Sequence, residues 1–99
     1  KGRNERIIAE ARYAYDKRTD AYEIAFIVDE DFQGKGVATF MCDYLIKIAR
    51  DRGIARFVAF VLPRNEAMLK VFDKCSVKPA RAYEENTYVL RFDLLSPQN

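Results

Sequence analysis

Two glycines separated by one residue, Gly34 and Gly36, stand between a predicted strand and a predicted helix in this 99-residue chain. They belong to the segment Gln33-Gly34-Lys35-Gly36-Val37-Ala38. Exposed backbone N–H groups in such a loop, together with the positive end of the helix dipole, form a binding site for an anion. The spacing therefore predicts a site for a phosphate or a pyrophosphate.

Two other phosphate-binding motifs do not fit this loop. A Walker A loop requires Ser or Thr directly after its lysine, whereas Gly36 follows Lys35. A dinucleotide-binding fingerprint requires a third glycine at the position of Thr39. The alternative that the two glycines only form a tight turn stays open on spacing alone.

The composition excludes several classes of chemistry. The chain has no histidine, which excludes catalytic triads, imidazole acid/base catalysis and most zinc sites. Cys42 and Cys75 are far apart and unpaired in sequence, so they indicate neither a metal site nor a disulfide framework, and we expect both to be inert. The net charge of +2 and the absence of a long apolar run favour neither a nucleic-acid nor a membrane partner. A cytoplasmic location is expected.

Hydrophobic periodicity predicts the elements that must position the glycine loop. Alternation predicts an antiparallel hairpin over residues 6–15 and 21–28, and a nearly continuous apolar run predicts a central strand over 55–61. A helix is expected from Val37 to a stop at Gly53, and a shorter one after Asn65 as N-cap. Residues 77–83 and 87–94 read as a closing hairpin. The prediction is one α+β domain over residues 1–99, with a mixed sheet, flanking helices and the order β-β-α-β-α-β-β.

Each predicted helix has one apolar stripe that should face the core. In the first helix this stripe comprises Val37, Met41, Tyr44, Leu45, Ile48 and Ala49. In the second helix it comprises Ala67, Met68, Val71, Phe72 and Cys75.

The residues around the glycine loop resemble a known acyl-CoA-binding signature. The pattern Gln33-x-x-Gly36-x-Ala38, preceded by a strand and opening an amphipathic helix, is similar to that of the GNAT superfamily of N-acetyltransferases. The segment from Asn65 to Lys74 resembles the second CoA-contacting helix of that superfamily. The resemblance covers about residues 6–94 and implies a GNAT-like acyl-CoA N-acyltransferase fold. It implies acetyl transfer from acetyl-CoA to a primary amine by direct attack, without a metal.

The resemblance also implies a binding role for particular residues. The backbone of Ile27 and Val28 would pair with the pantetheine arm where two parallel strands splay apart. The N–H groups of the loop would hold the pyrophosphate, and Gln33 would brace the loop. Asn65 would bond to the pantetheine, and Lys74 would approach the adenosine phosphate. The loop residues concerned are Gly34, Lys35, Gly36, Val37 and Ala38.

Glu23 is the candidate catalytic residue. In strand periodicity it shares a face with Ala25 and Ile27, and we expect partly enclosed surroundings for its carboxylate. A glutamate in the matching strand is the general base in the protein-lysine acetyltransferase branch of the family, so the resemblance implies that Glu23 takes a proton from the attacking ammonium. The alternative is a solvent-facing strand carboxylate.

Phe72 departs from the family pattern, because many members have a tyrosine at this position whose hydroxyl protonates the leaving CoA thiolate. Phe72 would line the cofactor site but cannot donate a proton, so the rate rather than the binding should suffer. For Tyr83 and Tyr88, a packing role is favoured over that of a substitute acid.

A second departure is the absence of the strand, two helices and further strand with which family members begin. The sequence is therefore expected to be the C-terminal part of a longer chain. The exposed sheet edge would favour a homodimer or pairing with the missing N-terminal segment. These departures leave a second functional hypothesis open, a CoA-binding sensor or regulatory module without catalysis.

Overall fold

The computed structural model describes residues 9–28, 34 and 36–95. Along the chain, the strands are β1 (Ala9–Asp16), β2 (Ala21–Val28), β3 (Arg56–Val61), β4 (Ala80–Glu84) and β5 (Thr87–Asp93). Helix α1 (Val37–Asp51) lies between β2 and β3, and helix α2 (Glu66–Asp73) lies between β3 and β4. The predicted order of elements is confirmed. Neither helix in this part of the chain is long and apolar enough to cross a membrane.

The strands form one mixed sheet in the order β1-β2-β3-β5-β4. Its only parallel contact among the described residues is between β2 and β3, while the neighbouring pairs β1–β2, β3–β5 and β4–β5 are antiparallel. The central strand was predicted correctly, because Phe57, Val58 and Ala59 are all buried in β3. A strand that contributes buried side chains to both faces of a sheet has this nearly continuous apolar sequence.

The main core lies on the face of the sheet that carries both helices. β2 contributes Ile24 and Phe26 to it, and β3 and β5 contribute alternate residues from the same face. The helices and the segment after α2 supply Cys42, Ile46, Ala49, Phe72, Cys75 and Val77. On the opposite face, a small buried cluster contains only Ala21, Val58 and Val89 among the described residues.

The hairpin of β1 and β2 is held at its turn by polar contacts. The Tyr15 hydroxyl donates to Asp20 Oδ1 over 2.6 Å, and the Arg56 guanidinium donates to Asp20 Oδ2 over 2.8 Å. The hydrogen bond from Tyr15 and the charge of Arg56 lower the pKa of the Asp20 carboxyl. The predicted start of the first strand, at residues 6–8, lies outside the described part of the chain.

The predicted core stripe of α1 is correct for Ala49, and Met41 and Leu45 pack against the core, but the helix is rotated relative to the prediction. Its buried residues are Ala38, Cys42, Ile46 and Ala49, whereas the predicted core residue Tyr44 is 57% exposed. Aromatic and small residues both fit an apolar stripe, and the structure buries the small ones where α1 lies against the sheet. Gly53 follows the helix end with a φ of 75°, as predicted for this position.

Of the boundaries in the second half of the chain, the start of α2 is as predicted and the start of the fourth strand is not. Asn65 is the N-cap of α2 as predicted, with its Oδ1 accepting from the Met68 N–H over 3.2 Å. Of the predicted stripe within α2, only Phe72 is fully buried. The fourth strand begins at Ala80 rather than at residue 77, because Val77 turns into the main core and Pro79 has no N–H to donate to a ladder.

Candidate functional site

A cleft of about 910 Å³ lies where α1, α2 and the last residues of β2 meet. Its walls include most of the residues singled out from the sequence: Ile27, Gly34, Gly36, Val37, Ala38, Asn65 and Lys74. Ligand pockets commonly have volumes of about 300–1,000 Å³. The structure therefore brings the glycine loop and the predicted second helix together on one cavity of suitable size. Gln33 and Lys35 lie outside the described residues, and Val28 is described only as the last residue of β2.

The N-terminus of α1 opens into this cleft with unused hydrogen-bond donors. Gly36 is the N-cap with a φ of 83°, and the first helical hydrogen bond runs from Phe40 N to Gly36 O over 2.9 Å. The N–H groups of the three residues between them therefore have no carbonyl partner within the helix. The first turn contains no acidic residue, and the glycine N-cap makes no side-chain hydrogen bond. These donors and the helix dipole favour a bound anion.

The N-terminus of α2 faces the same cleft but is already capped. The Asn65 side-chain oxygen accepts from Met68 N, and the Asn65 backbone N–H donates to Leu62 O over 2.9 Å. The side-chain amide N–H groups of Asn65 have no partner among the described residues and can donate to a ligand. The two helix starts thus differ, since a side-chain cap occupies one backbone donor of α2 and Glu66 places a carboxylate in its first turn, whereas α1, in the described part of the chain, has neither.

A gap in the sheet continues the cleft toward the centre of the molecule. The parallel register joins β2 to β3 only at Tyr22–Phe57 and Glu23–Val58. Beyond Glu23, the β2 edge that faces β3 has no strand partner among the described residues, although the register with β1 continues to Val28 on the other side. A strand edge with unpaired backbone groups can bond to an extended ligand as it would to another strand.

A smaller cleft of about 260 Å³ lies along this gap. It is lined by Glu23 and Asn65 together with apolar side chains from β2, β3 and α2, including Phe26, Phe60, Met68 and Phe72. Asn65 and Met68 line both cavities, so the two are neighbours. Charged side chains from both helices line the larger cleft, whereas Glu23 is the one charged residue among the described residues that line the smaller cleft.

The surroundings of Glu23 are more open than expected. Glu23, Ala25 and Ile27 share the exposed face of β2, as the strand periodicity predicted, but the Glu23 side chain is exposed rather than partly enclosed. The reason is that no helix in the described residues covers this face of the sheet. No described side chain hydrogen bonds to the Glu23 carboxylate, which leaves both oxygens able to accept a proton or a hydrogen bond.

Phe72 is a core residue at the base of the smaller cleft. It is 2% exposed, and its ring centroid lies 5.8 Å from that of Phe26 and 5.5 Å from that of Phe92. Tyr83 and Tyr88 line neither described cleft and instead pack on each other, with ring centroids 5.0 Å apart. The packing role favoured for these two tyrosines agrees with that placement.

The larger cleft also contains charged and aromatic residues that the sequence motifs did not identify. Lys70 lies one turn before Lys74 on α2, and both line the cavity, so helical spacing could have identified the pair. Asp43 and Glu66 line it too, although the Asp43 carboxylate accepts from Ser76 N–H over 2.8 Å. Phe40 lines the cavity while 71% exposed, a placement that the predicted stripe of α1 could not show.

The sequence around this site shows which protein family the chain belongs to. The sequence model of the Acetyltransferase (GNAT) family matches residues 2–76, which include the glycine loop, β2, β3 and α2. The chain belongs to the GNAT family. The predicted resemblance and the predicted GNAT fold are thereby confirmed.

Similar proteins agree with this membership. The acetyltransferase Pat of Mycolicibacterium smegmatis is 39% identical over 69 residues, which cover 69% of this chain and 21% of Pat. The crystal structure of the GNAT domain of S. lividans PAT superimposes with a TM-score of 0.76 and 36% identity, over 87% of this chain and 53% of that one.

The structure of a cAMP-binding acyltransferase from Mycobacterium smegmatis is similar as well. It has a TM-score of 0.72 and 32% identity, over 90% of this chain and 27% of that one. The sequence thus spans between about a fifth and about a half of the length of these relatives.

Proposed function

We propose that this GNAT chain carries the acetyl-CoA half of an N-acetyltransferase site and transfers an acetyl group from acetyl-CoA to a primary amine. The observation that carries the proposal is the gap between β2 and β3, which opens just beyond Glu23 and leads toward the free N-terminus of α1. A ligand with an anion at one end and an extended, amide-bearing arm at the other matches that arrangement. Acetyl-CoA has this shape.

Each part of the cofactor has a complementary group in the proposal. The pyrophosphate accepts hydrogen bonds from the N–H groups at the start of α1, between Gly36 and Phe40. The pantetheine amides pair with the open backbone edge at Ile27 and Val28 and with the Asn65 side-chain amide. Lys70 and Lys74 add positive charge to a cavity that receives a polyanion.

The reaction in this proposal is a direct transfer. Glu23 removes a proton from the ammonium form of the acceptor, and the neutral amine nitrogen attacks the thioester carbonyl carbon. The carbon–nitrogen bond forms, the carbon–sulfur bond breaks, and CoA leaves as its thiolate. Glu23 suits the first step because it lines the smaller cleft and its carboxylate is accessible. A lysine side chain of a protein is the acceptor class that we propose, since it supplies a primary amine on a long, flexible stem.

The thiolate leaves without a protein acid at position 72. A proton donor at position 72 would serve the leaving CoA thiolate. The Phe72 ring is instead buried between Phe26 and Phe92 and has no transferable proton. Water, or the amine that has just reacted, supplies the proton instead. This chain should therefore bind acetyl-CoA well and turn it over slowly.

Calorimetric titration with acetyl-CoA, followed on the same sample by a CoA-thiol release assay with a lysine-rich protein, tests the proposal. Binding with amine-dependent thiol release supports it. Absence of binding contradicts the assignment of the cleft.

The second candidate is a CoA-binding module without catalysis, which is favoured by the missing acid at Phe72. It predicts acetyl-CoA binding with no thiol release above hydrolysis at saturating amine. Mass spectrometry of the lysine-rich protein distinguishes the two candidates, because only the transferase leaves acetyl groups on it.

A further inference from the structure

Two thiols from different parts of the chain meet in the core behind the larger cleft. Cys42 lies in α1 and is 0% exposed, and Cys75 follows α2 and is 3% exposed. Both side chains belong to the same buried cluster, and the Cys75 thiol donates to the Val71 carbonyl over 3.4 Å. The contact is invisible in the sequence because these cysteines are separated by α2, β3 and the intervening loops.

A second contact holds the same two segments together. The residue after Cys42 is Asp43, and its carboxylate accepts from the backbone N–H of Ser76, the residue after Cys75, over 2.8 Å. The approach of the two thiols is therefore supported by a hydrogen bond to the main chain as well as by side-chain packing. Asp43 and Lys74, which are sequence neighbours of the two cysteines, both line the larger cleft.

We propose that Cys42 and Cys75 are a modification site, at which hydrogen peroxide joins them in a reversible disulfide that locks α1 to the end of α2. One thiol attacks a peroxide oxygen, giving a sulfenic acid and one molecule of water. The second thiol then attacks the sulfenic sulfur, the sulfur–sulfur bond forms and a second water leaves. The two thiols lose two electrons in total and the peroxide gains them. A dithiol reductant reverses the modification.

We expect the rate of this oxidation to be limited by the access of peroxide to the two thiols rather than by the approach of the two sulfurs to each other. The hydrogen bond with Cys75 and burial both raise the pKa of the Cys42 thiol, which disfavours the reactive thiolate in the closed structure. Phe72 in the last turn of α2 packs in the core against Phe26 and Phe92, so peroxide reaches the thiols only when this end of the helix opens locally. Oxidation should therefore be slower than for an exposed thiol.

The disulfide should stabilise the fold, because it closes a loop that contains α2 and β3. A cross-link across a loop of this length restricts the unfolded chain and raises Tm by an amount on the order of 10 °C for a domain of this size. Reduction returns Tm to its starting value.

The test treats the reduced 99-residue chain with hydrogen peroxide, blocks the remaining thiols in denaturant and measures the intact mass. The expected product is a monomer that has lost two hydrogen atoms, takes up no thiol label and unfolds at a higher temperature until dithiothreitol is added. Cys42→Ser and Cys75→Ser are the matched controls, and neither should show the rise in Tm. The wild-type mass and labelling results need no variant, so the proposal stays testable even if a serine destabilises the core.

Three results would overturn it. The first is that both thiols remain available for labelling after peroxide treatment at temperatures below unfolding. The second is a disulfide that forms only between molecules, seen as a dimer on a non-reducing gel. The third is an internal disulfide with an unchanged Tm. All three readouts are independent of acetyl-CoA, so a failure here is distinguishable from a failure of the proposed transferase.

Discussion

Gly36 allows a direct test of the anion site at the start of α1. It is the N-cap residue and has a φ of 83°, a backbone conformation that residues other than glycine rarely adopt. Replacing it by alanine adds a single methyl group at the mouth of the larger cleft. A Cβ at this position would meet no atom within 4 Å, so crowding contributes nothing to the effect on stability.

The expected cost of Gly36→Ala follows from its backbone conformation. Holding a residue other than glycine at this φ costs about 1–2 kcal/mol. For a domain of this size, Tm should fall by about 4–8 °C per kcal/mol. The alanine relieves this strain by moving toward negative φ, which turns the N–H groups of Val37 and Ala38 away from the anion. Losing one hydrogen bond to a charged group costs about 1.5–3 kcal/mol, so the Kd for acetyl-CoA should rise by about 10- to 100-fold.

Gly53→Ala is the matched control. Gly53 has a φ of 75°, and a Cβ there also meets no atom within 4 Å, but it follows the far end of α1 and lines neither described cleft. The two variants should lose similar stability, measured by thermal unfolding without ligand. Only Gly36→Ala should weaken acetyl-CoA binding in calorimetry at fixed salt.

The comparison separates the local conformation of a glycine from its position in the cleft. Equal affinities for acetyl-CoA in both variants, at equal losses of Tm, would show that the loop is only a tight turn. Equal weakening in both would show that binding responds to general stability rather than to the donors of α1. Either result refutes the assignment of the pyrophosphate site.

Three further predictions concern other parts of the molecule. Glu23→Gln should leave acetyl-CoA affinity unchanged and reduce amine-dependent thiol release by about 100-fold or more, and retained release would remove Glu23 from the mechanism. Phe72→Tyr should increase thiol release at saturating amine while lowering Tm, since it adds a hydroxyl to a buried site beside the smaller cleft. Asp20→Asn should flatten the acid dependence of stability. The pKa of Asp20 is lowered in the folded state by the Tyr15 hydrogen bond and the Arg56 charge, so its contribution is present above the unfolded value of 3.8 and is lost as pH falls through the lowered pKa. Acid titrations of wild type and variant that superimpose between about pH 4 and pH 2 would contradict this.

The features that the sequence predicted well depend on short-range interactions. The cap at Asn65 involves a residue three positions away, and the helix stop at Gly53 depends on its own φ. The central strand could be identified because a strand buried on both faces must be apolar along its length. Such signals are contained in a few neighbouring residues, and so they survive without knowledge of the rest of the fold.

The features that were missed depend on contacts between distant segments. Tyr44 was assigned to the core because periodicity does not show how a helix is rotated against its sheet. Glu23 was placed on the correct face of its strand, but its exposure is decided by which elements cover that face. The contact of Cys42 with Cys75 joins residues on either side of β3. Each of these properties is fixed by packing across the fold, which one sequence does not specify.

The short parallel ladder between β2 and β3 gives this pair of strands fewer main-chain contacts than the other neighbouring pairs in the described sheet. With only two paired positions in the described register, the β1–β2 hairpin is attached to the other three strands less by main-chain bonding than by the Ile24 and Phe26 side chains in the core. The attachment of the hairpin therefore depends more on side-chain packing than does that of any other neighbouring pair of strands described. An extended molecule that bonds to both edges of the gap would add main-chain hydrogen bonds at the place where the described part of the sheet itself has none.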